Sequence, residues 1–195
     1  MNINWHSREL NLKIVYYGPA MSGKTTNLEK IYERVAPTRR SEMVSLKTHE
    51  DRTLFFDFFQ VELGKIGGLT PKISLYTVPG QTYYEASRKL VLRGADGVVF
   101  VADSAPARMQ ANQASWQDLS HHLESYGLSI EQIPVIIQCN KQDLPGAVST
   151  VIIQKLLQTN GRPILPATAA RGEGVSDTFR AITMNVMSCV QQQIR

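Results

Sequence analysis

The chain has 195 residues, 43% apolar and 19% charged, with a formal net charge of +4. These are ordinary globular values, and they fit one domain over residues 1–195 with a substantial core. The positive residues are scattered, so a solvated surface accounts for them better than a nucleic-acid footprint does. Cys139 and Cys189 lie in apolar stretches, as reduced, buried thiols of a cytoplasmic protein would. No metal-type Cys/His cluster is present, and the His121-His122 pair on a predicted helix reads as a polar face. The opening MNINWHSREL is neither a signal peptide nor a membrane span. Asn2 and the final QQQIR lack myristoylation and prenylation signals, so no intrinsic membrane anchor is expected, and recruitment to a membrane or cell pole would fall to partners.

The first predicted element is a buried strand, the apolar run Ile14-Val15-Tyr16-Tyr17. It feeds Gly18-Pro-Ala-Met-Ser-Gly23-Lys24-Thr25, a match to G-x-x-x-x-G-K-[ST]. Leu28, Ile31, Tyr32 and Val35 then recur at the spacing of one helix face. Strand before and helix after make this a phosphate cradle rather than a glycine-rich turn with a solvated lysine. Gly18 and Gly23 allow a close backbone approach, and the helix start adds unpaired amides and a positive dipole end. Lys24 can neutralise the β- and γ-phosphates, and Thr25 can ligate Mg²⁺. The candidate phosphate contacts are Gly18, Ala20, Met21, Ser22, Gly23, Lys24, Thr25 and Thr26.

Ala36–Arg52 shows no periodicity and reads as a long functional loop. Leu54-Phe55-Phe56-Asp57-Phe58-Phe59 should be a strand, paired as an antiparallel hairpin with Lys72–Thr77 across a turn at Gly64, Gly67 and Gly68. Alternation should bury about half of the four phenylalanines and leave the others for a partner surface. Thr77-Val-Pro-Gly80-Gln81 is a breaker-rich turn, followed by a short helix from Tyr84 to Leu92. Gly97–Asp103 is an apolar run that reads as a strand covered on both faces. Ser104 and Pro106 open a helix that buries Met109, Trp116, Leu119 and Leu123 and ends near Gly127. A strand at Pro134–Cys139 leads into Asn140-Lys141-Gln142-Asp143. A helix bearing Ile153, Leu156 and Leu157, a strand at 163–167, a loop at 168–174 and an amphipathic helix from Val175 complete the chain.

This alternation predicts an α/β fold with a mainly parallel sheet covered on both sides. Ligands in such sheets bind beyond the carboxyl ends of the strands, where the phosphate loop, Thr77–Gln81, Asn140–Asp143 and Thr168–Ala170 all fall. Asn140-Lys141-x-Asp143 discriminates between bases. A carboxylate can accept hydrogen bonds from N1–H and the exocyclic amine of guanine, and adenine offers no such pair of donors. A polar site of this kind rejects the wrong base strongly, because unmet groups are costly. Lys141 can lay its stem over the base, and Asn140 can tie two loops together.

These motifs, in this order, resemble the Ras-like small GTPases over nearly the whole chain. GPAMSGKTTNL, DRTLFFDF, LYTVPGQ, YEASRKLVLRGADGVVFVADS and NKQDLP are most similar to the MglA family of gliding-motility and cell-polarity GTPases. The resemblance implies a three-layer P-loop GTPase fold, with a mostly parallel six-stranded sheet and one antiparallel edge strand. It implies GTP and GDP as ligands and Mg²⁺ held by Thr25 and Thr53. Gly80 would contact the γ-phosphate, and Asn140, Lys141, Asp143, Thr168, Ala169 and Ala170 the base, with the Ala169 amide donating to guanine O6. Lys24, Gln81 and Arg52 would be the catalytic groups: a phosphate counter-charge, a water-orienting amide and a built-in arginine finger. Effectors would meet Ala36–Val61 and Thr77–Arg93, and a Roadblock-fold, MglB-like activator would place Arg52 and Gln81.

Two residues depart from the common small-GTPase pattern. Thr77 stands where most have the aspartate of D-x-x-G, as in the MglA pattern, which leaves Asp57 or Asp103 to supply a carboxylate. Ala20 stands where Gly is common, and its methyl crowds the place of Gln81 and an arginine finger. Slow intrinsic hydrolysis is therefore expected. The alternatives are a GTP-binding scaffold or assembly protein with little hydrolysis, and a P-loop kinase or ATPase.

Overall fold

A computed structural model describes residues 2–46, 56–80 and 84–194. Among the described residues, eight strands form one sheet: β1 (Asn2–Asn4), β2 (Glu9–Tyr17), β3 (Val44–Leu46), β4 (Phe56–Glu62), β5 (Thr70–Thr77), β6 (Gly97–Asp103), β7 (Val135–Asn140) and β8 (Ile164–Pro166). Their order is β3-β4-β5-β2-β6-β7-β8, with β1 folded back on the start of β2. From β5 to β8 neighbours run parallel, and β4 and β3 are antiparallel. The expected parallel sheet is present, and β1 and β3 extend the six expected strands to eight. The edge is therefore β3 rather than β4. Val44–Leu46 falls inside the stretch read as loop, because three residues are too few to show periodicity and this strand exists only through its pairing with β4.

Side-chain alternation along the strands divides the core in two. Leu12, Ile14 and Tyr16 of β2, with Val99 and Val101 of β6, pack under α1 (Lys24–Arg34) and α5 (Val175–Ile194). Val15 and Tyr17, with Val98, Phe100 and Ala102, face α2 (Glu85–Leu92), α3 (Met109–Glu124) and α4 (Thr150–Leu157). Strands buried on both faces read as unbroken apolar runs, which is why Gly97–Asp103 was legible. On β4 the alternation buries Asp57, Phe59 and Val61 and leaves Phe56 and Phe58 half-buried; Phe55 lies outside the described residues. α1 presents Leu28 and Ile31 to the core and ends at Val35, whose backbone is extended, just before Pro37.

Two sequence readings are corrected. His122 is buried, its Nδ1 sharing a hydrogen bond of 2.9 Å with the Tyr17 hydroxyl and its Nε2 lying 3.7 Å from Glu85, so only His121 belongs to the polar face. Cys139 is buried and burial pushes its thiol up to about 12, whereas Cys189 is exposed on the outer side of α5. In a helix the neighbours of an apolar stripe point outward, and Cys189 sits beside Val190, not on its stripe.

A buried polar chain links the elements beneath the phosphate loop. Asn27 of α1 and Gln138 of β7 exchange amide hydrogen bonds of 2.8 and 2.9 Å, and the Gln138 amide also donates to Thr178 of α5 at 2.9 Å. Gln138→Met keeps the volume but leaves the Asn27 carbonyl without its donor, so urea unfolding should show a loss of about 1–3 kcal/mol.

Candidate functional site

Parallel pairing brings the strand ends together: Tyr16 lies beside Thr77, Asp103 beside Asn140 and Cys139 beside Pro166. The loops that leave these ends meet along one edge of the sheet. Residues 18–23 wrap over the start of α1, with Met21 at φ 63° and Gly23 at φ 100°. A Cβ on Gly23 would strike the Asn140 amide nitrogen, so only glycine fits there. Gly23 offers no side chain to close the first-turn amides of α1, and the Ser22 hydroxyl is buried without a partner among the described residues. Unclosed amides, an orphaned hydroxyl and a lysine form a cradle that suits a phosphate group. Lys24 is 7% exposed, and its Nζ donates to the carbonyls of Gly18 (3.0 Å) and Pro19 (2.7 Å).

Asn140 joins two loops. Its amide nitrogen donates to the Ser22 carbonyl at 2.8 Å, and its oxygen accepts the Ala169 amide at 2.8 Å. The Ala169 N–H, expected at guanine O6, thus donates to Asn140 here. The next residue, Ala170, lies on the exposed side of a 3₁₀ turn at Ala169–Arg171, with Thr168 as its N-cap. Lys141 adopts φ 68° and its Nζ lies 2.6 Å from Asp103, which is almost fully buried. Asp143 is open to solvent, 4.0 Å from the Arg171 guanidinium.

At the other end, Gly80 packs against the phosphate loop so closely that a Cβ there would strike the backbone of Ala20. The Thr25 hydroxyl donates to Asp57 Oδ2 at 2.6 Å, and the Thr77 hydroxyl donates to the same oxygen at 3.1 Å. An oxygen-only donor set of hydroxyl and carboxylate suits a hard divalent cation such as Mg²⁺. Arg52, Thr53 and Gln81 lie outside the described residues. Thr26 is half-buried in the first turn of α1.

Sequence reasoning passed over Arg108, whose guanidinium donates to the Ala20 carbonyl at 2.7 Å and approaches Asp103 at 3.8 Å. It also left the choice between Asp57 and Asp103 open. Asp103 serves Lys141, and Asp57 serves Thr25. The Arg108 contact joins residues 88 positions apart and has no local signal. Asp57 had one: a carboxylate on the buried phase of an alternating strand has to find donors.

A phosphate cradle at a strand–helix junction, with a paired asparagine and an N-K-x-D loop beside it, defines a P-loop nucleotide-binding protein of the small-GTPase class. The ADP-ribosylation factor family model matches residues 2–186. The "Mutual gliding-motility protein MglA" of Myxococcus xanthus (strain DK1622) is 50% identical over 186 residues, 95% of each chain. ADP-ribosylation factor-like protein 4D of Bos taurus is 29% identical over 167 residues, covering 85% of this chain and 74% of that protein. ADP-ribosylation factor-like protein 14 of Mus musculus is 30% identical over 132 residues, 64% of this chain and 66% of that one. The chain belongs to the ADP-ribosylation factor family of small GTPases and, within it, to the MglA family. It is a guanine-nucleotide-binding GTPase.

Burial, reinforced by the nearby charges of Arg88 and Arg108 and opposed by Asp57, brings the Lys24 amine down to about 7. A polyphosphate beside it favours the ammonium and raises that value. Binding of GDP above pH 7 is therefore expected to take up close to one proton, and affinity to fall as pH rises from 7 to 9. Titration calorimetry in buffers of differing ionisation enthalpy reads both, and a pH-independent affinity would contradict the assignment.

Proposed function

We propose that this GTPase is a GTP/GDP switch serving gliding motility or cell polarity, with slow intrinsic hydrolysis that a Roadblock-fold, MglB-like activator stimulates. The observation that carries the reading is the Asn140 bridge, which holds the phosphate loop and the Thr168–Arg171 turn one side chain apart. A site so tied accepts a nucleotide whose base and phosphates span the two loops. The 50% identity to a protein named for gliding motility supports the biological setting. No helix among the described residues is long and apolar enough to cross a membrane; a cytoplasmic place of action, with recruitment by partners, is part of the proposal.

In this reading the amides from Ala20 to Thr26 and the Lys24 ammonium hold the β- and γ-phosphates. Thr25 and Thr53 would hold Mg²⁺, which neutralises charge on the phosphate oxygens during transfer. Lys141 covers the base, and Asp143 accepts its N1–H and amine protons. Gly80 turns its amide toward the γ-phosphate. Gln81 orients the attacking water, and Arg52 supplies the cation for charge that develops in transfer. The activator places these two residues without donating an arginine of its own. Loss of the γ-phosphate frees residues 36–61 and 77–93 from it and so releases effectors.

Ala20 gives reason to expect slow chemistry, because Gly80 packs against its backbone and it carries a methyl where small GTPases commonly have glycine, crowding the place that Gln81 would have to take. The same contact favours the second reading, a GTP-binding scaffold that barely hydrolyses. Single-turnover hydrolysis with and without a Roadblock protein separates them. The switch reading expects strong stimulation, reduced roughly 10³-fold or more by Arg52→Ala or Gln81→Leu. A rate unchanged by partner and by both substitutions would establish the scaffold. For the base, Asp143→Asn should weaken GDP binding about 10-fold or more and admit xanthosine diphosphate, which competition against labelled GDP measures. ATP displacing GDP at equal concentration would overturn the guanine assignment here.

A further inference from the structure

Arg108 has no part in the nucleotide chemistry assigned above, yet the fold fixes its position closely. Asn112 of α3 clamps the end of β6, accepting the Asp103 amide at 2.9 Å and donating to the Asp103 carbonyl at 2.8 Å. Asp103 Oδ1 accepts the Ala105 amide at 3.0 Å. Pro106, with its fixed φ, then opens a 3₁₀ turn that the Arg108 amide closes on the Ala105 carbonyl at 2.9 Å. The guanidinium leaves this turn between two acceptors, the Ala20 carbonyl at 2.7 Å and Asp103 Oδ2, 3.8 Å from its Nε. The same Oδ2 accepts the Lys141 ammonium at 2.6 Å. The Pro19–Ala20 backbone also carries Gly80, with no room for a Cβ between them. Residue 20 is thus shared by Arg108 and the turn that ends at Gly80.

We propose that Arg108 is a positioning residue for GTP hydrolysis: by pinning the Ala20 carbonyl it fixes the stretch of phosphate loop on which the Gly80 turn seats, and so the place of Gln81 beside the γ-phosphate. The inference rests on the switch reading above, in which Gly80 and Gln81 meet that phosphate. A planar guanidinium can serve two acceptors at once, so Asp103 sets its direction while Ala20 receives its hydrogen bond. Lys141, on the same carboxylate oxygen, ties that direction to the base loop. The contact is made to a backbone carbonyl, so it does not depend on the methyl of Ala20. GDP needs the cradle but not the Gly80 turn, so the contact matters for the γ-phosphate and its transfer more than for GDP. A displacement of roughly 1 Å near the reacting atoms can cost about 100-fold in rate.

The test uses the full chain. Single-turnover GTP hydrolysis is measured with and without a Roadblock protein, beside the affinities for GDP and for a non-hydrolysable GTP analogue. Arg108→Met, which keeps the stem and removes the donors, should slow both rates roughly 10–100-fold. Its GDP affinity should stay close to wild type, while the affinity for the analogue relative to GDP drops about 10-fold. Arg108→Lys, whose compact ammonium cannot fork to both acceptors, should recover part of the rate. Gly80→Ala should cost less in the Arg108→Met background than in wild type, because an unpinned loop can yield to the new Cβ. A merely structural Arg108 would lower both affinities alike and show no coupling to Gly80→Ala. That result, or a wild-type rate and affinity ratio in Arg108→Met, overturns the inference. Should that variant not fold, Arg108→Lys is read in its place, and a wild-type rate and ratio there overturns it. A wild-type chain that hydrolyses no GTP even with the Roadblock protein removes the switch reading, a different failure, and the affinity ratio then decides alone.

Discussion

The amide of Asn140 is the contact on which the site depends. One side chain, 3% exposed at the end of β7, holds the carbonyl of Ser22 and the amide of Ala169 at 2.8 Å each. Those two loops belong to strands separated in the sheet order, and nothing local in either would bring them into register. Gly23 is left without a Cβ to make room for that amide. The buried chain Asn27–Gln138–Thr178 repeats the arrangement one layer down, tying α1, β7 and α5 under the same loop. A nucleotide-binding surface built of loops is in this way made as rigid as the strands beneath it.

Charge is handled differently at the two ends. At the base end the buried Asp103 is satisfied by the Lys141 ammonium at 2.6 Å. At the phosphate end Lys24 is surrounded by carbonyls and faces the repulsion of Arg88 and Arg108, so its charge is costly until an anion is present. Arg108 is itself held by the Ala20 carbonyl, at the loop position that sets how close Gly80 comes. A phosphate thus completes electrostatics that the protein leaves incomplete.

Much of this could be read from the sequence because its determinants are local. Gly18–Thr25 has a fixed spacing between strand and helix, and β6 and β7 are apolar on both faces. Asn140–Asp143 follows a strand end directly. What could not be read depends on pairing across the chain. Val44–Leu46 is a strand only because β4 offers an edge, His122 is buried only because Tyr17 meets it, and the Ala169 amide is turned to Asn140 by a bond spanning 29 positions. Asp57 shows the boundary between the two cases. Its burial followed from alternation, but its donors, Thr25, Thr77 and Ser45, lie on three other elements.

The identity of the nucleotide that the folded chain retains tests the central claim most directly. Full-length protein purified in magnesium buffer, denatured with acid and assayed by ion-exchange chromatography against nucleotide standards, should release guanine nucleotide at close to one per chain. Release of adenine nucleotide, or of none together with no binding of added GDP, would contradict the account.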